Sequence, residues 1–242
     1  MDIKLYLTPG PSGEIDLESK TAVVIDVLRC TTSVCAALMA GARGVIPVTG
    51  PGEAGDMWAR IGSDMSVLAG EKNGIRIENF QLGNSPSEFT PDSVAGKFVV
   101  MTTTNGTTAF VRTCKADLVL SCSLVNVSRV ARRVAGENRD MVIVCAGREG
   151  QYSIEDNICG GRLIDLLICE HQREVTLNDA ASLAVLLYHN SKATMKKAVA
   201  EGEHGRYLSS IGFARDLETA ASVDSMPVLP VMKDGRLILD GD

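Results

Sequence analysis

An α/β fold, with a mostly parallel sheet carrying helices on both faces, is what this chain predicts, and three observations predict it. Short apolar, β-branched runs alternate with segments of helical spacing. Four of those runs are each followed by a polar cluster rich in Thr, Asn, Gly, Arg or acid. No repeat period and no low-complexity linker interrupts the 242 residues, so one domain over 1–242 with a helical C-terminal third is the simplest division.

Strands are expected at 22–25 (AVVI), 44–48 (GVIPV), 66–70 (SVLAG), 97–101 (KFVVM), 118–120 and 141–145 (MVIVC). Each run is too short for a helix and nearly continuous in apolar residues, as strands covered on both faces are. Between them, 31–42, 51–61, 107–114 and 125–135 have helix-compatible spacing, which completes a βαβ rhythm. Helices are expected again over 155–171 and 177–188, followed by a polar, Gly-containing region at 192–215. Two short runs near Val228 and Leu237 suggest a hairpin at the sheet edge.

Composition narrows the partners. The 24 Lys and Arg against 30 Asp and Glu give a formal charge of −6. An acidic chain without a long basic run is not built to grip nucleic acid by counterion release, although a local basic pocket can still hold a small anion. The seven cysteines are odd in number, form no C-x-x-C, and mostly sit in apolar runs, which suggests reduced core residues and a cytoplasmic setting. The opening segment 1–13 shows neither a cationic leader nor a long apolar stretch, so no signal peptide or membrane span is expected.

Open α/β sheets bind ligands beyond the carboxyl ends of their strands, which directs attention to the four polar clusters. The first, 26–33 (DVLRCTTS), offers Asp26 at a strand end, Arg29 as a fork for phosphate or sulfonate oxygens, and Thr31 or Thr32 as a helix cap. Asp26 and Arg29 could equally pair with each other. The second, 71–85 (EKNGIRIENFQLGNS), presents Glu71 directly after a strand, with Asn73, Asn84 and Ser85; a plain hairpin would also use its NG and GN pairs. The third, 101–110 (MTTTNGTTAF), places Thr104, Asn105, Gly106 and Thr107 where a strand gives way to a helix. Free backbone N–H groups, a helix dipole and hydroxyl donors would there form an anion cradle, or simply a capped helix. The fourth, 146–156 (AGREGQYSIED), offers Arg148 to an anion, and Glu149, Glu155 and Asp156 to a hard cation or to proton transfer. The last two acids also suit an ordinary helix first turn.

Several chemistries are not written here. Cys30 has no arginine five residues on, DVL lacks the second aspartate of D-x-D, and no G-x-x-x-x-G-K-[ST] loop occurs. His171, His189 and His204 show no metal-ligand spacing, and His204 reads as a surface residue.

In order and spacing, VVIDVLRCTTS, AGEKNGIRIENFQLGNSP, VVMTTTNGTTA and VCAGREGQYSIEDNICGG resemble the motifs of the 2-phosphosulfolactate phosphatase family, over about residues 22–161. The resemblance implies a three-layer α/β/α sandwich and a magnesium-dependent phosphatase that converts 2-phosphosulfolactate to sulfolactate and phosphate. In methanogens that step belongs to coenzyme M synthesis, although members also occur where coenzyme M is not made. Carried onto this chain, Asp26, Arg29, Arg148 and Glu149 are the expected catalytic residues. Thr31, Thr32, Glu71, Asn73, Asn84, Ser85, Thr104, Asn105, Gly106 and Thr107 are expected at the substrate, and Asp26, Glu155 and Asp156 at Mg2+. A substrate bearing phosphate, sulfonate and carboxylate would account for two arginines and several hydroxyls in an acidic chain. The alternatives are a phosphatase for another small phosphorylated hydroxy acid and a polyanion-binding module without turnover. A homodimer is expected for a chain of this size, with no residue marking its interface.

Overall fold

The structure, a computed structural model, describes residues 1–10 and 15–241; part of the opening segment and the last residue of the expected domain lie outside the described residues. All six expected strands form, as β2 (Thr21–Ile25), β3 (Gly44–Pro47), β4 (Ser66–Lys72), β6 (Phe98–Thr102), β7 (Leu118–Cys122) and β8 (Met141–Cys145). Three short strands join them without having been expected: β1 (Asp2–Tyr6), β5 (Ile75–Arg76) and β9 (Thr176–Leu177). The helices are α1 (Cys30–Met39), α2 (Pro51–Ile61), α3 (Pro91–Val94), α4 (Gly106–Thr113), α5 (Val127–Ala135), α6 (Ile154–Cys169) and α7 (Asp179–Ser191). The helix expected from 177 begins later because Leu177 belongs to β9 and Asn178 caps the helix, its Oδ1 accepting from Ala181 N. The polar region after it folds into α8 (Met195–Glu201), α9 (Glu203–Ser210) and α10 (Ala214–Ala220).

The chain closes with β10 (Pro230–Lys233) and β11 (Arg236–Leu239), and here the expectation of an edge hairpin fails. The sheet order is β5-β4-β6-β3-β11-β10-β7-β2-β8-β1-β9, which puts the hairpin in the middle. Leu237 pairs with Val45 of β3 and Val231 with Leu120 of β7, both antiparallel. The physical reason is burial. Leu237 and Val231 are enclosed on both sides, which two apolar runs at an exposed edge would not be.

Six strand pairings are parallel (β1 with β8 and β9, β2 with β7 and β8, β3 and β4 with β6), and four are antiparallel. The sheet is therefore mixed and mostly parallel, flanked by helices, and open. Three successive antiparallel pairings across the hairpin make β3, β6 and β4 run opposite to β7, β2 and β8. Yet the carboxyl ends of both groups reach one cleft. Between β6 and β2 lie five strand steps, and a twist of about 20–25° per step turns the two groups by roughly 100–125° relative to each other.

Alternation within each strand feeds two layers. Val23, Ile25, Leu120 and Ile143 meet apolar residues of α5 to α10, including Val130, Leu163, Tyr188, Val199, Leu208 and Leu217. Their neighbours Ala22, Val24, Val119 and Val144 meet Val34, Ala37, Ala109 and Phe110 of α1 and α4 on the other face. Among the described residues, no helix is long and apolar enough to cross a membrane.

Candidate active site

The four polar clusters converge on one cleft, with about 420 Å3 of empty space including its mouth. Asp26, Arg29, Glu71, Asn73, Asn84, Thr104, Asn105, Arg148 and Glu149 line it, joined by Leu28, Gly74, His204, Tyr207 and Leu208.

Asp26 stands where β2 emerges from the sheet and is buried. Its Oδ1 accepts from Cys30 N at 3.2 Å, while its Oδ2 faces the start of α4. A Cβ on Gly106 would lie 2.4 Å from that Oδ2 and 2.5 Å from Cys30 Cβ, so only glycine lets α4 approach the carboxylate this closely. Burial pushes the Asp26 carboxyl up to about 7, with the charge of His204 and the Cys30 N–H opposing the rise, and Glu71 and Glu155 adding to it. Gly70 plays a similar part beneath Glu71, because a Cβ there would sit 2.3 Å from Thr102 O.

The loop after Asp26 is tied to itself. Thr31 Oγ1 donates to Asp26 O at 2.8 Å, and Thr32 Oγ1 donates to Val27 O at 2.7 Å, so both threonines lie inside α1 and brace the loop rather than cap the helix or face the cleft. The Leu28–Arg29 peptide is cis. Arg29 does not pair with Asp26. Its Nη1 donates to Asp216 Oδ2 at 2.8 Å, its Nη2 donates to Gly74 O at 2.7 Å, and the Phe213 ring centroid lies 4.2 Å from its Cζ. Arg148, the other arginine of the cleft, is held more loosely. Its Nη1 is 3.4 Å from Oε1 of the exposed Glu203, and its Cζ lies 4.4 Å from the Tyr207 ring centroid.

The expected cradle after β6 is largely occupied by protein. Thr103 N donates to Thr107 Oγ1 and Thr107 N to Thr103 Oγ1, while Thr104 N donates to Glu71 Oε1 at 2.7 Å. Glu71 also accepts from Gly74 N at 2.6 Å, so it fastens one loop to another. Asn105 Oδ1 accepts from Glu149 N at 3.0 Å and joins the third cluster to the fourth. Asn73 has φ +53°, and its carbonyl accepts from the Tyr207 hydroxyl at 2.9 Å. Asn84 leaves Oδ1 buried without a hydrogen-bond partner among the described residues, an acceptor suited to a ligand donor. Ser85 lies behind the cleft and donates to Asp216 Oδ1 at 2.6 Å.

Asp156 and Glu155 are buried in the first turn of α6. Asp156 accepts from Val27 N at 2.8 Å and from Gly147 N at 3.1 Å, linking the loops that carry Arg29 and Arg148. Burial, then the charges of Asp26 and Glu155, push its carboxyl well above the usual range. Glu155 Oε1 lies 3.3 Å from His204 Nδ1, an ion-pair distance, but accepts no hydrogen bond of proper geometry. His204 is thus not a surface residue: α9 turns it into the cleft with its side chain only 16% exposed. Five of the cysteines are buried as expected, but Cys114 and Cys169 are exposed, and all seven are free.

Tyr207, Phe213 and Asp216 carry no motif in the sequence, and nothing in the polar region at 192–215 or just beyond it marks them as site residues. The one available signal was a pair of aromatics six residues apart in a chain that has only five Phe and four Tyr.

Among the described residues, no three of His, Cys, Asp and Glu form a group able to hold a metal by themselves. A magnesium ion that keeps waters and binds substrate phosphate needs only one or two carboxylates. Asp26 Oδ2, which accepts no hydrogen bond among the described residues and lines the cleft, fits that smaller requirement, whereas Glu155 lines an adjoining pocket with its Oε1 against His204. Asp156, with both oxygens engaged by N–H groups, suits a supporting role.

Comparison with known proteins gives a consistent result. A family model described as 2-phosphosulpholactate phosphatase matches residues 6–235. A protein of Caldanaerobacter subterraneus subsp. tengcongensis is 36% identical over 235 residues, 97% of each chain. One from Clostridium acetobutylicum is 35% identical over 98% of this chain and 100% of its own, and one from Symbiobacterium thermophilum is 36% identical over 93% and 96%. Each is named a probable 2-phosphosulfolactate phosphatase.

Proposed function

Since the chain belongs to the 2-phosphosulpholactate phosphatase family, we propose that it hydrolyses 2-phosphosulfolactate to sulfolactate and phosphate with the help of Mg2+. The observation that carries this reading is the convergence of two arginines on the cleft that holds Asp26, in a chain of net charge −6. A trianionic substrate needs concentrated cationic donors, and a phosphoryl group in transit needs them already fixed in place.

On this reading Arg29 meets the phosphoryl oxygens beside Asp26, and Arg148 meets an anion that does not react. Asn84 Oδ1 accepts from a substrate or water hydroxyl. The attacking oxygen belongs to water or to Asp26 itself. Magnesium, held by Asp26, would offset charge on the phosphoryl oxygens. Glu71, Thr104 and Asn105 lock the facing loops together and limit access of bulk water. Thr31, Thr32, Thr107 and Asp156 act through the loops they brace.

Purified protein with Mg2+ should release phosphate from 2-phosphosulfolactate, and EDTA should stop it. Phospholactate and phosphoglycolate lack the sulfonate and should be poorer by about 10²-fold or more in kcat/KM, because the sulfonate's partners would be left unpaired. Equal rates would make the protein a phosphatase of broader small-acid range. Tight binding of 2-phosphosulfolactate with no phosphate release under any divalent metal would make it a polyanion-binding protein.

A further inference from the structure

One buried carboxylate touches the cleft only through another residue. Asp216, in the first turn of α10, is 3% exposed, and both of its oxygens are engaged: Oδ2 by Arg29 Nη1 and Oδ1 by Ser85 Oγ. With Gly74 O on Nη2 and the Phe213 ring against its Cζ, Asp216 fixes the guanidinium from three directions. Arg29 nevertheless lines the cleft, and two hydrogen bonds leave most of its five N–H donors uncommitted.

A buried ion pair is a poor device for stability alone, since an apolar pair of like volume often does as well. It is well suited to aiming a charged fork. An arginine anchored by a second carboxylate cannot swing toward Asp26 and neutralise it. The Arg29 side chain is only 2% exposed, which leaves it one orientation in which to receive an anion.

Building on the phosphatase reading above, we propose that Asp216 is a positioning residue of the reaction, which holds Arg29 aimed at the phosphoryl group and away from Asp26. It acts across 187 residues of chain, so the C-terminal helices complete a site whose motifs all lie earlier.

The test is a double-variant cycle on the full chain with 2-phosphosulfolactate and Mg2+, reading kcat and KM per folded molecule beside thermal melting. Asp216→Asn should lower kcat by about 10²-fold, the scale of a misplaced catalytic group, with KM moving less than about threefold. In an Arg29→Ala background the same substitution should lower kcat no further, because Asp216 acts through the arginine. Retained kcat in Asp216→Asn, or losses that multiply in the double variant, would overturn the proposal. If Asp216→Asn does not fold, Asp216→Glu keeps the charge and shifts it by one methylene. It should cost about tenfold in kcat, and an unchanged kcat would overturn the proposal equally. Wild-type protein that releases no phosphate sinks the activity reading alone. Calorimetry with orthophosphate then decides about Asp216: a roughly tenfold weaker affinity in Asp216→Asn supports the anchoring role, and equal affinity ends it.

Discussion

The two arginines of the cleft sit in opposite environments. Arg29 is buried, bound by a buried carboxylate and a backbone carbonyl, and covered by Phe213. Arg148 has a side chain 20% exposed, a partner in Glu203 that is 86% exposed, and a stacking contact with Tyr207. The first arrangement costs desolvation and yields one geometry. The second is cheap, adaptable and easily exchanged for a ligand anion. A site that must both hold a transition state and admit a multiply charged substrate benefits from one of each.

Three substitutions test that contrast. Asp26→Asn strikes the fixed side, and activity should fall by roughly 10²-fold or more. Its stability should respond in a particular direction. The folded Asp26 carboxyl titrates at about 7 against an ordinary value of 3.8, so the folded state binds more protons than the unfolded one between those values. The contribution of Asp26 to stability is therefore lost as pH rises through that window. In EDTA, Asp26→Asn should melt higher than wild type at pH 8, with the gap closing towards pH 4. A melting temperature that drops at pH 8 would mean that Asp26 instead anchors its loop. Next in size, Arg148→Ala should raise KM for 2-phosphosulfolactate by about tenfold with kcat within a few-fold and little change in melting, as expected for loss of ground-state binding. A collapse of kcat would erase the distinction between the arginines. The smallest effect belongs to Glu203→Gln. An exposed ion pair contributes about 0–1 kcal/mol, so removing this competitor should lower KM by no more than about fivefold at low salt. A higher KM would show that Glu203 orients Arg148 instead of competing for it.

Much of this site was legible before folding because its first half is local. Each polar cluster follows directly on a buried strand, and the strand-end rule places Asp26, Glu71, Thr104 and Arg148 near one another without long-range information. What was illegible is long-range. Nothing within 192–220 distinguishes Asp216 or His204 from surface residues of amphipathic helices, since their partners Arg29 and Glu155 are far away in sequence. The threonines are ambiguous for a related reason: a hydroxyl can serve a ligand or its own backbone, and in the structure Thr31, Thr32 and Thr107 bond their own backbone. The sheet was read correctly as mostly parallel. The hairpin was misplaced because two short apolar runs look alike at an edge and in the interior, and only the unfilled space between β3 and β7 distinguishes them.

That hairpin also bears on how the chain is made. Strands β3 and β7 are synthesised long before residues 230–239, and until these arrive each presents an unpaired row of N–H and C=O groups. A nascent chain, or one lacking residues 230–239, would therefore hold two separate sheet fragments with sticky inner edges, prone to pair with neighbouring chains. Residues 230–239 work as a zip fastener between them, so the sheet is closed only once this hairpin has emerged and docked.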